Sequence, residues 1–363
     1  MQVLLIKTSS MGDVIHSLPA LSDAQAAIPG LRVDWVVEEA FADLAGRHPA
    51  VRRVLPCALR RWRQHPLRAW RSGQWPEFRA ALREHEYDAV IDAQGLLKSA
   101  FLTRRARGPK YGLDRRSARE PLSARVLDHP LPVPWGLHAI SRVRQLLAAA
   151  LNYPVPEGPP DYGLPRAQPP RSLARGPVDL LFCHGTTWAT KHYPEPFWRE
   201  LARLASNAGH RVHLPWGNDV ERRRAERLAR GLPGVEVLPY LSLSALTDRL
   251  LSWDAFIAVD TGLAHLAAAA GMAGLALYGP TDPRLTGVWG PRAHSLAADF
   301  PCAPCVQEKC TYRGELGQGV EPPCFSSLKP HRVWQRLVEV AGSDISIHGA
   351  GRDGMHPPPG SCL

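Results

Sequence analysis

The feature that most constrains this chain is a rhythm. Short, mostly apolar runs at residues 3–7, 33–37 and 89–92 are separated by helix-length stretches such as 14–27 and 77–84. A run that is apolar on successive residues cannot turn either face to water, so it belongs to a strand covered on both sides. Such strands alternating with helices make a parallel α/β sheet. The rhythm breaks over residues 153–177, where eight prolines predict an extended, fairly stiff linker. It restarts with strands at 178–183, 212–214, 235–238, 256–259 and 275–278. Helices at 196–207, 219–230, 243–251 and 261–270 lie between them. The expectation is α/β with two Rossmann-like, doubly wound domains, 1–152 and 178–342, facing a central cleft. A Gly- and Pro-rich tail at 343–363 is expected to be disordered.

Composition narrows the partners. The 363 residues are 45% hydrophobic and 21% charged, which excludes collagen-like, coiled-coil and wholly disordered chains. The formal charge is +10, and it is uneven. Residues 1–150 hold 23 Lys/Arg against 14 Asp/Glu, or +9; residues 151–363 hold 21 against 20, or +1. A polyanionic partner therefore meets the first half. The start, Met-Gln-Val-Leu-Leu-Ile-Lys7, has too short an apolar core for an export signal and reads as a buried strand. The near-apolar run 261–278 is interrupted by His265 and by Gly271-Met-Ala-Gly274, so it reads as a helix and a strand, not a membrane span. Seven cysteines without an export signal suit a reducing, cytoplasmic setting.

Ligands of such sheets sit at the carboxyl ends of strands, so the loops there are the candidate site. The first strand runs into Lys7-Thr-Ser-Ser-Met-Gly-Asp13. Asp13 reads either as a helix cap or as a functional carboxylate. Thr186 and Thr187 follow a strand, with Lys191 four residues on; two hydroxyls and an ammonium suit a phosphate or a solvated turn. At Asp260-Thr261-Gly262-Leu-Ala-His265 a buried strand ends and a helix begins, leaving free amides as an anion site. Glu221, early in its helix, can accept from a sugar hydroxyl or complement the helix dipole. Arginines crowd residues 51–75 among Trp62, Trp70 and Trp75, with no acid between 44 and 76. That pattern fits single-stranded nucleic acid or an anionic amphiphile at a membrane surface. Cys302-x2-Cys305-x4-Cys310-x13-Cys324 has spacing for a candidate structural zinc site.

Several segments together resemble the lipopolysaccharide heptosyltransferase I family. They are Lys7-Thr-Ser-Ser-Met-Gly-Asp-Val-Ile-His16, Asp34-Trp-Val-Val-Glu-Glu39, Arg60-Arg-Trp-Arg63 and Tyr87-Asp-Ala-Val-Ile-Asp-Ala-Gln-Gly95 in the first half. Lys191-His192, Leu214-Pro-Trp-Gly217, Asp260-Thr-Gly-Leu-Ala-His265 and Tyr278-Gly-Pro-Thr-Asp-Pro283 continue it. The resemblance covers most of residues 1–290 and implies the GT-B fold and inverting transfer of L-glycero-D-manno-heptose from its ADP-activated β-form. It implies the inner Kdo of Kdo-lipid A as acceptor, with an α-1,5 linkage formed. By the same resemblance Asp13 is the base. Thr186, Thr187, Lys191, Glu221, Leu241, Asp260, Thr261, Gly262 and His265 bind ADP-heptose. Arg60, Arg61, Arg63 and Arg119 hold the acceptor. Methionine is usual in the family where Leu241 stands; the four-cysteine segment is absent from the best-known type I enzymes, and something like it occurs in type II relatives. No metal is required for the chemistry, no nucleic-acid partner is expected, and the enzyme is placed peripherally on the cytoplasmic face of the inner membrane. Two other readings stand beside it: a type II enzyme that adds the second heptose, and a nucleic-acid-binding protein using the Arg/Trp segment.

Overall fold

The computed structural model describes residues 1–165, 171–173 and 175–342. The first half builds a parallel sheet from β1 (Gln2–Ile6), β2 (Arg32–Glu38), β3 (Val51–Cys57), β4 (Ala89–Asp92), β5 (Lys110–Leu113) and β6 (His129–Leu131), in the order β3-β2-β1-β4-β5-β6. The second half uses β7 (Asp179–Cys183), β8 (Arg211–Leu214), β9 (Val235–Val237), β10 (Ala255–Val259), β11 (Ala273–Tyr278) and β12 (Ala293–Ala297), in the order β12-β11-β10-β7-β8-β9. Read from the opposite edge, the second order repeats the first. Each sheet is built outward in both directions from one central pair, β1/β4 and β7/β10. At that switch point the connections leave for opposite faces, and a crevice opens beyond the strand ends.

Around the first sheet lie α1 (Met11–Ala27), α2 (Ala42–Gly46), α3 (Leu59–Gln64), α4 (Pro66–Arg71), α5 (Gln74–Arg83), α6 (Leu97–Thr103) and α7 (Ala139–Leu151). Around the second lie α8 (Glu195–Asn207), α9 (Asp219–Ala229), α10 (Leu243–Leu250), α11 (Gly262–Ala269), α12 (Pro283–Thr286) and α13 (Pro330–Gly342). β10 and β11 are buried on every residue, as central parallel strands must be. In α8, Trp198, Leu201, Ala202 and Ala205 form the single buried stripe of an amphipathic helix.

The expected rhythm is present in both halves, and the structure adds elements to it. Residues 51–75, expected as one basic cluster, hold the edge strand β3 and the short helices α3 and α4. β5, β6 and β12 also carry no sequence signal, being three to five residues long with partly exposed faces. Residues 261–278 divide into α11 and β11, and among the described residues no helix is long and apolar enough to cross a membrane. Residues 153–165 of the expected linker carry neither helix nor strand. They are tied down: Arg144 donates to the carbonyls of Pro156 and Gly158, and the buried Tyr162 hydroxyl donates to Trp289 O at 2.6 Å. The rest of that linker except 171–173 and 175–177, and the tail 343–363, lie outside the described residues.

Burial leaves several histidines neutral. It pushes His48 and His192 down to about 4 and His184 to about 3, against an unfolded value of 6.5. The unfolded chain therefore binds protons between pH 6.5 and these values that the folded chain refuses. Stability is full above pH 6.5 and is lost as the pH falls below it, by about 1.4 kcal/mol per unit per histidine. The urea midpoint is expected to fall steeply from pH 7 to pH 5; a flat profile would mean that these rings titrate normally.

Candidate active site

The loops that follow β1, β4, β7 and β10 line the two switch points. In the first sheet, Lys7 ends buried beyond β1, and its ammonium donates to Ala93 O at 2.9 Å. The same ammonium stands 3.4 Å from Asp13 Oδ1. Asp13 is not the cap residue of α1, as its position had suggested. Ser10 is, and Asp13 reaches back from the third helical position. Its Oδ2 accepts from the Ser10 N–H at 2.7 Å and the Ser10 hydroxyl at 3.0 Å. These bonds fix the carboxylate and leave Oδ1 toward Lys7. Its enclosure in the cleft raises the Asp13 pKa, but Lys7 and the Ser10 N–H more than offset this and hold it below the ordinary aspartate value. The side chain remains 41% exposed, open to a substrate.

The backbone of this loop is held from β4. Gln94 Oε1 accepts from the N–H of Thr8 at 2.9 Å and of Ser9 at 3.3 Å, and its amide donates to Ser9 O at 2.8 Å. Lys98 donates to the Ser9 hydroxyl at 2.7 Å. A cavity of about 270 Å³ includes Asp13, Lys7, Gln94, Arg119, Trp135 and Arg142 in its lining. Of the four expected acceptor arginines, only Arg119 shares that cavity with Asp13. Arg60 and Arg63 line a neighbouring one with Lys98. Arg61 turns away to Glu39 at 2.9 Å and Gln74 at 3.0 Å.

In the second sheet the expected residues gather around Asp260, buried at the end of β10. Its Oδ2 accepts from Lys191 at 2.8 Å and from the Thr281 hydroxyl at 2.6 Å; His265 Nε2 lies 3.8 Å from Oδ1. Burial raises the Asp260 pKa, but His265, Lys191 and Thr281 outweigh it and hold the group far below the carboxylate range. Thr186 donates to Asp260 O at 3.0 Å, and Thr187 stands exposed on the same turn. Thr261 caps α11 without a side-chain bond to its amides, so the N–H groups of Gly262 and Leu263 are open to an anion, while those of Ala264 and His265 donate to Thr261 O. Glu221 accepts from Gly217 N–H at 2.8 Å and lies against Gly185, where a Cβ would come within 2.6 Å of it. Leu241 is half-buried and packs on the core, presenting apolar surface.

The two halves touch directly at these loops. A Cβ on Gly262 would lie 2.7 Å from Met11, and one on Gly12 would lie 3.2 Å from the His265 ring. His16 of α1 and His265 of α11 are joined through Nε2 and Nδ1 at 3.2 Å. Burial, followed by the charges of His265, His138 and Lys7, pushes His16 well below its usual value, so this ring is neutral. Asp260, His265 and His16 thus form a polar chain from the anion site to the helix that carries Asp13. Sequence reasoning assigned no role to His16, Gln94 or Lys98, although His16 and Gln94 stand inside the motifs quoted for the resemblance. The four cysteines of the candidate zinc segment are free thiols, and among the described residues no three His, Cys, Asp or Glu side chains form a group that can hold a metal.

Comparison with known proteins agrees with this geometry. The family profile of glycosyltransferase family 9 (heptosyltransferase) matches residues 75–315. Lipopolysaccharide heptosyltransferase 1 of Pseudomonas aeruginosa is 52% identical, covering 93% of this chain and 97% of its own. The enzyme of the same name from Escherichia coli K12 is 47% identical over 80% of this chain and 91% of its own. The lipopolysaccharide heptosyltransferase 2 of that strain is 26% identical, covering 79% and 85%. The structure of E. coli heptosyltransferase WaaC with ADP superposes at a TM-score of 0.80, with 42% identity over 94% of this chain and 100% of that one. WaaC with ADP-2-deoxy-2-fluoro heptose superposes at 0.76. Two switch-point sites facing each other in a GT-B fold, one with a poised carboxylate and one with an anion cradle, therefore belong to a glycosyltransferase: this chain is a member of the heptosyltransferase family, glycosyltransferase family 9.

Proposed function

We propose that the enzyme transfers L-glycero-D-manno-heptose from its ADP-activated β-form to the 5-hydroxyl of the inner Kdo of Kdo-lipid A. Asp13 takes the hydroxyl proton as the oxygen attacks the anomeric carbon. The bond to the diphosphate breaks on the opposite face, ADP departs, and the α linkage is formed with inversion. One carboxylate and an in-line geometry suffice, so no covalent intermediate is needed. Lys191 and the free amides at Gly262 take up charge on the leaving diphosphate, with Thr186 and Thr187 beside them. Glu221 accepts from the nucleotide's or heptose's hydroxyls, and Leu241 offers apolar contact to the base. Arg119, with Arg60 and Arg63, meets the acceptor's carboxylates and phosphates, while Arg61 is held by Glu39 and Gln74. The observation that carries this reading is the pairing of a fixed, ionised Asp13 with Arg119 in one cavity, directly across the α1–α11 contact from the Lys191–Asp260 site.

The reaction runs without a metal. The protein works in the cytoplasm against the inner membrane, where its basic half meets an anionic lipid. Purified protein offered ADP-heptose is expected to modify Kdo-lipid A, in buffer with EDTA as well as without. Transfer only to heptosyl-Kdo-lipid A would assign it to the type II reaction instead.

A further inference from the structure

A second cavity, of about 580 Å³, opens beside the acceptor cleft, and of its lining the chemistry above uses only Arg60 and Arg63. Its walls are Leu59, Trp62, Ala69, Trp70, Trp75 and Phe101, from α3, α4, α5 and α6. Trp62, Trp75 and Phe101, with Phe78, form one connected aromatic layer. Trp62 meets Trp75 edge-on at 5.8 Å and Phe78 at 5.2 Å, and Trp75 leans on Phe101 at 5.4 Å. The indole N–H of Trp62 is already bonded to Gln74, so it offers apolar surface. Trp70 and Phe101 are nevertheless 66% and 44% exposed, a large apolar area left to water.

The polar lining gathers next to the catalytic loop. Lys98 is bonded to Ser9, the Glu38 N–H donates to Thr8 O, and Glu38 lies within charge range of both Lys98 and Arg60. Arg60 and Arg63 complete a basic border. The cavity is therefore cationic where it approaches Asp13 and hydrocarbon-like across its aromatic walls. Its volume is in the range that encloses a ligand, roughly 300–1,000 Å³.

We propose that this cavity takes an acyl chain of the lipid acceptor, with the lipid's anionic groups on Arg60, Arg63 and Lys98. The inference rests on the acceptor assignment above and names the part of that acceptor which the sugar-binding residues leave unaccounted for. Charge complementarity selects an anionic amphiphile, and the aromatic walls select its hydrocarbon part.

Ala69→Phe narrows the cavity from a nearly buried position, and Trp70→Ala removes an exposed wall without threatening the fold. Each variant is assayed with the fully acylated acceptor in micelles and with the same acceptor fully deacylated. Ala69→Phe is expected to raise KM for the acylated acceptor about tenfold, the worth of roughly two methylenes withdrawn from contact. Trp70→Ala is expected to shift it in the same direction, and KM for the deacylated acceptor should stay unchanged in both. Equal increases for both acceptors would make this a sugar subsite, and no change with either would leave the cavity without a role in binding; both outcomes overturn the proposal. Dodecyl phosphate binding, followed by tryptophan fluorescence, provides a readout independent of turnover. It should weaken about tenfold in Ala69→Phe, and equal binding by the wild type and this variant overturns the proposal. If neither acceptor is turned over by the wild type, the acceptor assignment fails, while this titration still decides the cavity.

Discussion

Asp13→Asn is expected to lower kcat by about 10²–10⁴-fold, the usual worth of a positioned general base. Binding of ADP-heptose and the thermal midpoint should change little. Asparagine has nearly the shape of aspartate, and its carbonyl oxygen can still accept from Ser10. What it loses is the proton-accepting charge beside Lys7. Calorimetric titration of the donor into the variant separates the two properties; near-normal turnover would remove Asp13 as the base. The pH profile supplies a second check with a definite sign. Because Lys7 and Ser10 hold the carboxyl below the ordinary value of 3.8, the base is ionised throughout the neutral range. Loss of kcat/KM through Asp13 protonation should therefore appear only below that value. A limb between pH 6 and 7 would belong to another group.

Lys191→Met is expected to lower kcat/KM for ADP-heptose by about 10²–10³-fold, comparable to removing one preorganised donor from a transition-state anion site. It should also destabilise the protein by about 3 kcal/mol, since breaking a buried ion pair strands its partner. Here the partner is Asp260, which keeps Thr281 and His265 but loses its 2.8 Å ammonium. The double variant Lys191→Met with Asp260→Asn removes the stranded charge, so its urea midpoint should recover while the rate stays low. Recovery of both would mean that Lys191 acts only through Asp260. Recovery of neither would mean that Asp260 is needed for the fold in its ionised form.

Both candidate sites are placed by the sequence because their residues lie next to strand ends that announce themselves. The runs before Asp260 and Lys7 are apolar enough to read as central strands, and the residues that follow them had to stand at the open end of a sheet. Thr186, Lys191 and His265 then fell into place because all three follow such ends. What stayed hidden depends on contacts between distant parts of the chain. Lys7 meets Ala93 across 86 residues, Gln94 holds Ser9 across 85, and His16 meets His265 across 249. None of these pairings leaves a local pattern. The capping of α1 stays open in the sequence for a related reason: Ser10 and Asp13 are both good capping residues, and only the geometry says which one begins the helix. β3 escaped because an edge strand with Arg52, Arg53 and Pro56 carries no continuous apolar run, and its arginines looked like part of a solvated cluster. The three-residue β6 was too short to register.

The close approach of Gly12 to His265 and of Gly262 to Met11 also bears on inhibition. The proposed base sits on one half of the molecule and the proposed leaving-group cradle on the other, and these four residues meet where the two halves touch. A small rigid compound lodged in that seam would lie against Gly262 and His265 of the proposed donor site, so it would spread the halves and exclude the nucleotide sugar together.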